Sequence, residues 1–367
     1  MKIILDNIIF SLQKIGGISI LWGELIDKMK KDNISFLEYE KSDENYIRQN
    51  INIDSDKIIN KNKADKVKIR RYINPYLPTI KDKFIFVSSY YRICRNKNAL
   101  NVTIVHDFTY EYFFKGLSQK IHHLQKKQAI KKADLVICIS NNTKKDLLKF
   151  FPEVDENKIK VVYNGVSNLF KPVDFSKDFR LISSNLYYLN DKKNILFVGQ
   201  RGGYKNFNKV VEAFTNLGNN YHLVIVGQKL NAEEIEMLQN NNIASENYTV
   251  LENLSVEHLN LIYNFVYVLL YPSSYEGFGI PVVEAMKAGL PVIAYNSSSI
   301  PEVLGDSGIM LNSLESNDIV SSIKSLDNDE FKNKIIKSGF RQSSLFSWDN
   351  TIEQYQLIFK KLYESHI

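Results

Sequence analysis

The feature that most constrains this chain is an alternation of short apolar runs with longer amphipathic segments. In the second half the runs are 195–199, 222–227, 248–252, 267–273, 291–295 and 308–311. Between them, 207–217, 232–239 and 255–264 carry apolar residues at helical spacing. Strand-length runs separated by helix-length crossovers build a parallel sheet covered on both faces. The first half repeats the plan less regularly, with strands expected at 3–5, 84–87, 102–105, 135–139 and 159–163. Helices are expected there at 17–30, 119–132 and 142–150, and the Asn/Lys-rich stretch 41–83 reads as loops with one or two short elements.

At 367 residues the chain exceeds one ordinary domain. The break falls at Asn164-Gly165-Val166, giving an N-terminal domain 1–165 and a C-terminal domain 166–347. The segment 348–367 sets Ile352, Tyr355, Ile358, Phe359 and Leu362 on one helical face and is expected to complete the first domain. Two such α/β domains leave a cleft at the strand C-termini, where ligands bind in open parallel sheets.

Asp6 interrupts the first apolar run, so no signal-peptide core is expected. No apolar run approaches the roughly 20 residues of a membrane helix, and the expected location is cytoplasmic. Cys94 and Cys138 form neither a disulfide framework nor a metal spacing, and Cys138 sits inside a buried-strand pattern. Charge is uneven: residues 1–165 carry 30 Lys/Arg against 19 Asp/Glu, while 166–367 carry 17 against 22. A basic first half suits an anionic partner: a membrane surface, a lipid-linked pyrophosphate or nucleic acid.

Three constellations carry chemistry. In the run from Ser273 to Gly289, a buried strand ends, a turn containing Glu276-Gly277-Phe278-Gly279 follows, and Pro281 opens a helix that stops at Gly289. The turn offers backbone N–H groups at a helix N-terminus, where a phosphate is favoured. Glu276 lies in the turn and Glu284 is expected in the first helical turn; carboxylates there can accept from sugar hydroxyls. The second constellation runs from Phe197 through Gly199, Gln200, Arg201 and Lys205 to Asn206. Arg201 and Lys205 would emerge at a strand C-terminus and neutralise a diphosphate. The spacing is neither a Walker A loop nor GxGxxG. In the third, Gly16-Gly17 opens a helix after the first strand, and His106-Asp107 follows the strand 102–105.

Taken together, Gly16-Gly17, His106-Asp107, the run 139–143, Asn164-Gly165-Val166, Gly199 to Lys205, Glu276 to Glu284 and Pro291-Val292 resemble glycosyltransferase family 4 along nearly the whole chain. The resemblance implies a GT-B fold, with two Rossmann-like domains facing across a donor cleft, and transfer with retention of configuration. It implies that Glu276 and the amides of 277–279 hold the donor sugar and Glu284 the ribose. Arg201 and Lys205 would hold the diphosphate, and His106 would lie by the donor sugar. The family often has Arg directly after the glycine equivalent to Gly199, whereas this chain has Gln200, so Arg201 is expected to take over. The run 201–207 is similar to a subgroup of bacterial O-antigen and mannose-transferring enzymes, which points to GDP-mannose. The implied partners are a nucleotide sugar and a glycan or polyprenyl-diphosphate-linked oligosaccharide.

No cofactor and no metal are expected. Asp54-Ser55-Asp56 has the letters of a metal-binding pair but lies in a polar, Lys-rich stretch rather than after an apolar strand. Two other readings stay open at this level: a sugar-nucleotide epimerase or phosphorylase of the same architecture, and a non-catalytic polyanion-binding protein. The latter would draw on Lys61, Lys63, Lys66, Lys68, Arg70 and Arg71, but no nucleic-acid module accompanies them, and nucleic acid is not expected as a partner. For a membrane surface, Lys126, Lys127, Lys131 and Lys132 are the expected contacts.

Overall fold

The computed structural model describes residues 1–29, 33–60, 67–174 and 192–366. Lys61, Lys63 and Lys66 of the basic run lie outside the described residues, as does Lys30, the last residue of the expected helix 17–30. The chain divides into two compact units, Met1–Gly165 with Trp348–Ile367, and Val166–Ser347.

The first unit holds a seven-stranded sheet. Its strands are β1 (Ile3–Asp6), β2 (Ile34–Leu37), β3 (Ile58–Asn60), β4 (Phe84–Ser88), β5 (Ala99–Val105), β6 (Leu135–Cys138) and β7 (Ile159–Val161). They pair in the order β3-β2-β1-β4-β5-β6-β7, all parallel. Every residue of β1, β4, β5 and β6 is buried, as expected for strands covered on both faces. Cys94 and Cys138 are buried and unbridged. β2 and β3, four and three residues long, are additions to the strands expected from sequence.

The second unit has six parallel strands: β8 (Lys193–Val198), β9 (Tyr221–Val226), β10 (Tyr248–Leu251), β11 (Val268–Tyr271), β12 (Val292–Tyr295) and β13 (Ile309–Leu311). Their order is β10-β9-β8-β11-β12-β13. Both sheets are doubly wound in the Rossmann manner, reversing direction between β1 and β4 in one and between β8 and β11 in the other. All six strands expected in this half are present, shifted by at most two residues. The helices Ser316–Ser325 and Asp329–Ser343 fall where the sequence reading names no element.

The terminal helix Trp348–Glu364 buries Ile352, Tyr355, Phe359 and Leu362, four of the five residues on its expected face. Thr351 Oγ1 donates to the Tyr163 carbonyl at 2.9 Å, and Lys28 pairs with Asp349 at 2.6 Å. A Cβ at Gly165 would stand 2.4 Å from the Trp348 backbone nitrogen, so only glycine allows this crossing of the chain.

The end of β1 is held by a buried ion pair. Arg92 donates from Nε to Asp6 Oδ2 at 2.9 Å and from Nη2 to Asp6 Oδ1 at 2.5 Å. Its Nη1 bonds the carbonyls of Arg70 and Ile73, tying the irregular stretch before β4 to the sheet. Ser88 Oγ and Asp6 Oδ2 are 2.6 Å apart, which completes the carboxylate's shell. Removing one partner strands a buried charge, so Arg92→Met should cost about 3–5 kcal/mol. The check is a lowered urea midpoint with an unchanged slope.

Candidate functional site

The switch point of the second sheet brings two of the sequence constellations together. β11 pairs with β8 in parallel register, so the loops that follow them emerge side by side. Lys205 Nζ lies 2.5 Å from Glu276 Oε1, with both side chains largely shielded. Tyr271, the last residue of β11, donates its hydroxyl to the same oxygen at 2.6 Å. Asn206, in left-handed conformation (φ 52°), bonds the Pro272 carbonyl and Ser274 Oγ at 2.8 and 2.6 Å. Two loops from different strands are thereby locked to each other.

A third loop supports the Glu276 turn. Ser298, at φ 52°, accepts from the Glu276 backbone N–H at 2.8 Å. Ser299 Oγ lies 3.0 and 2.9 Å from the carbonyls of Glu276 and Phe278. Phe278 is itself buried, edge-to-face against Phe346, so its side chain anchors the turn from below. Gly279 caps the helix Ile280–Ala288 at φ 101° without a side-chain bond, and Gly289 ends it at φ 83°. Sequence reasoning missed Tyr271 and the serines; for the serines the one signal was the run Ser297-Ser298-Ser299, one residue beyond β12.

Glu284 stands elsewhere than expected. Because Gly279 is the cap and Ile280 the first helical residue, Glu284 is the fifth, beyond the first turn. It therefore does not act on the helix dipole, whose effect fades within one turn. Burial pushes its carboxyl up to about 7, opposed by the Tyr263 hydroxyl, which donates to Oε2 at 2.8 Å.

Arg201 does not join Lys205. Its Nε lies 2.9 Å from Glu234 Oε1, its Nη2 donates to the Lys229 carbonyl at 2.8 Å, and its side chain is 5% exposed. Glu234 also closes a capping box on the helix Ala232–Asn240 with Asn231, fixing the carboxylate that holds the guanidinium. Arg201 Nη1 is buried without a hydrogen-bond partner. It lines a cavity of about 620 Å³ at the C-terminal ends of β8, β9 and β10, bounded also by Gly199, Gly227, Glu252 and Asn253. Gly199, at φ 118°, allows the chain to turn there.

The other expected site residues belong to the first unit. Gly17 opens the helix Gly17–Met29, while the Gly16 N–H is already bonded to Ser19 Oγ at 3.0 Å. His106 lines a separate cavity beyond β5; burial pushes it down to about 4, so the ring is neutral at pH 7. Lys126, expected at the surface, is fully buried: its Nζ bonds Glu111 at 2.7 Å and the Asp107 carbonyl at 2.9 Å. Its own helix packs this face inward, so it steadies the His106-Asp107 turn instead. Asp54 and Asp56 flank the start of a one-turn helix, Ser55–Lys57. Among the described residues no group of three or more His, Cys, Asp or Glu is placed to hold a metal ion.

Two family models match successive parts of this chain: Glycosyltransferase Family 4 over residues 44–168 and Glycosyl transferases group 1 over 182–342. The chain belongs to the family 4 glycosyltransferases. It is 29% identical to the O-antigen chain mannosyltransferase RfbU of Salmonella typhimurium over 62% of its own length and 61% of that protein. It is 25% identical to the serotype-specific mannosyltransferase WbdA of Escherichia coli over 62% of its length and 29% of that protein. The chain thus spans less than two thirds of these relatives. Among solved structures, sucrose-phosphate synthase from Thermosynechococcus elongatus superposes with TM-score 0.75 at 16% identity, covering both chains fully. WaaG, a glycosyltransferase involved in lipopolysaccharide biosynthesis, gives 0.70 at 13%, covering 98% and 99%. The fold is GT-B.

The raised carboxyl of Glu284 has a measurable consequence. Below pH about 4.5 it is protonated in both folded and unfolded chains and has no effect. Between there and about 7 the folded state holds the proton that the unfolded chain loses, so stability falls as pH rises. Glu284→Gln should therefore stabilise the protein at pH 8, by at most about 3 kcal/mol, and leave it unchanged at pH 4. Melting temperatures of both proteins across that range check the sign.

Proposed function

We propose that this chain is a retaining hexosyltransferase, moving mannose from GDP-mannose to a glycan or polyprenyl-diphosphate-linked oligosaccharide of a bacterial surface polysaccharide. The observation that carries the reading is the Lys205–Glu276–Tyr271 cluster at the switch point of the second sheet. Glu276 accepts from donor-sugar hydroxyls, with the amides of 277–279 beside it. Once the carboxylate takes up the sugar, Lys205 is released toward the departing diphosphate. The cavity beside Arg201 suits the nucleotide: its carboxylates accept from hydroxyl or base N–H groups, and the orphaned Nη1 is a ready donor to a phosphate oxygen. Glu284 holds the ribose. The second unit is then the donor domain and the first the acceptor domain. Mannose is favoured because the curated relatives are named mannosyltransferases.

Transfer with retention needs no nucleophilic side chain if the acceptor hydroxyl attacks the face from which the diphosphate leaves. A departing phosphate oxygen takes the acceptor proton, and fixed cations and N–H dipoles stabilise the leaving group without a metal. An epimerase or phosphorylase is not favoured by any relative, nor is a polyanion-binding protein.

Incubation with GDP-, UDP- and dTDP-sugars should show slow hydrolysis of GDP-mannose above the others, unaffected by a chelator. Glu276→Ala should lower turnover roughly a hundredfold, or ~3 kcal/mol, with a smaller loss of nucleotide affinity. Lys205→Ala and Arg201→Ala should weaken binding of the nucleoside diphosphate but not of the nucleoside. Strict dependence on Mn²⁺ or Mg²⁺ would overturn the metal-free mechanism, and near-normal activity of the Glu276 variant would overturn the donor pocket.

The acceptor domain is proposed to rest on the cytoplasmic face of an anionic membrane. Leu117, Ile121 and Leu124 stand exposed along one face of the helix Leu117–Lys132, beside exposed Phe113 and Phe114. Lys115, Lys120, Lys131 and Lys132 are exposed on or next to the same helix, and each basic residue near anionic lipid adds about 1 kcal/mol. No described helix is long and apolar enough to cross a membrane. Replacing Lys120, Lys131 and Lys132 with Glu should reduce salt-sensitive binding to anionic vesicles and leave nucleotide binding unchanged. Equal binding to neutral and anionic vesicles, or to neither, would instead favour a soluble acceptor.

A further inference from the structure

Two buried tyrosines stand behind the two glutamates of the second unit. Tyr271 closes β11, is 2% exposed and donates its hydroxyl to Glu276 Oε1 at 2.6 Å. Tyr263, on the helix Val256–Phe265, is wholly buried and donates to Glu284 Oε2 at 2.8 Å. Neither ring is free to follow a ligand. Tyr271 belongs to a strand paired with β12, and Phe170 holds Tyr263 edge-on with centroids 5.7 Å apart. Burial and the adjacent carboxylate push both phenols well above their ordinary range, so near neutral pH each is a hydrogen-bond donor to its glutamate.

Packing alone does not ask for these hydroxyls. Phenylalanine would fill either place, and Tyr355, also fully buried, keeps its hydroxyl without a partner. The hydroxyls of Tyr271 and Tyr263 are instead given to the two carboxylates proposed to meet the donor. Each pins one oxygen. The bonds that Glu276 receives from Tyr271 and Lys205 both fall on Oε1, and the bond that Glu284 receives falls on Oε2. A carboxylate with one oxygen pinned presents the other in one direction, which lowers the cost of ordering it around a ligand hydroxyl.

The two pairs differ in their company. Lys205 Nζ shares Glu276 Oε1 with Tyr271 and lies 5.5 Å from the centroid of the Tyr271 ring. When Lys205 turns toward a diphosphate, Tyr271 is the donor that stays on Oε1. Among the described residues, Glu284 accepts from Tyr263 alone.

We infer that Tyr271 and Tyr263 are positioning residues with separate tasks: Tyr271 aims Glu276 at the donor sugar, and Tyr263 aims Glu284 at the ribose. The inference rests on the donor reading of the two glutamates and adds the side chains that orient them.

The test uses the full chain with GDP-mannose, GDP and 2′,3′-dideoxy-GDP, or the UDP or dTDP counterparts if those are hydrolysed faster. Tyr271→Phe should lower kcat for donor hydrolysis about tenfold or more, while calorimetric affinities for both diphosphates stay within about twofold. Tyr263→Phe should do the reverse: GDP should bind about tenfold more weakly, close to dideoxy-GDP, whereas dideoxy-GDP affinity and kcat stay within about threefold. Each variant carries its own folding control in the readout that it leaves alone. In a Glu276→Ala background, Tyr271→Phe should change kcat by less than about twofold, because it acts through that carboxylate. A merely structural role would lower both readouts together in either variant, or move neither, and either result overturns the inference. So does a further large loss of kcat in the Glu276→Ala background. An unaltered chain that hydrolyses no sugar nucleotide, or binds dideoxy-GDP as tightly as GDP, would remove the donor reading of the glutamate concerned together with its tyrosine.

Discussion

Everything functional in this molecule depends on parallel strand pairing. A parallel sheet sends every strand's C-terminal end to the same edge, and each strand order reverses at one place, β1/β4 in one sheet and β8/β11 in the other. At that place adjacent loops turn to opposite faces of the sheet and leave a crevice between them. The loops carrying Lys205 and Glu276 meet because β8 and β11 are hydrogen-bonded neighbours, although 71 residues separate the two side chains. The equivalent edge of the first sheet carries Asp6, whose buried pairing with Arg92 fixes the irregular segment that leads to Arg71.

Charge inside these crevices is handled by pairing. Lys205 rests on Glu276, Arg201 on Glu234 and Lys126 on Glu111, each within 3 Å. Burying any of these six groups alone would be expensive, and pairing repays much of that only with good geometry and extra hydrogen bonds. Tyr271, Asn231 and the Asp107 carbonyl supply them. The pairs differ in what they leave over. Lys126 is wholly spent, while Arg201 keeps an unpaired nitrogen on a large cavity.

The second unit is legible in sequence because its strands are flanked by glycine and proline turns and separated by helices of clear period. The Glu276 turn can be located from Gly277, Gly279, Pro281 and Gly289 alone, since clustered glycines followed by a proline mark a turn running into a helix. The position of Glu284 cannot: whether Gly279 or Pro281 starts the helix decides which turn it occupies, and only backbone geometry settles that. β2 and β3 go unread although β7 and β13 are no longer; they hold their place by β2 pairing with β1 and β3 with β2.

What the sequence determined by itself is local and periodic: two α/β units built on parallel strands, the turn that follows β11, the Cys138 core position and the apolar face of the last helix. These follow from alternation and spacing, which act between residues close in the chain. What only the tertiary structure decided is the choice of partner. Arg201 and Lys205 look equivalent in sequence, four residues apart in one loop, yet one is directed to Glu234 and the other to Glu276. Lys126 and Lys127 are adjacent, yet one is fully buried and the other reaches Glu153 at 3.0 Å near the surface. The reason is that a charged side chain's role depends on which distant carboxylate the fold brings within about 4 Å, and no short-range pattern carries that distance.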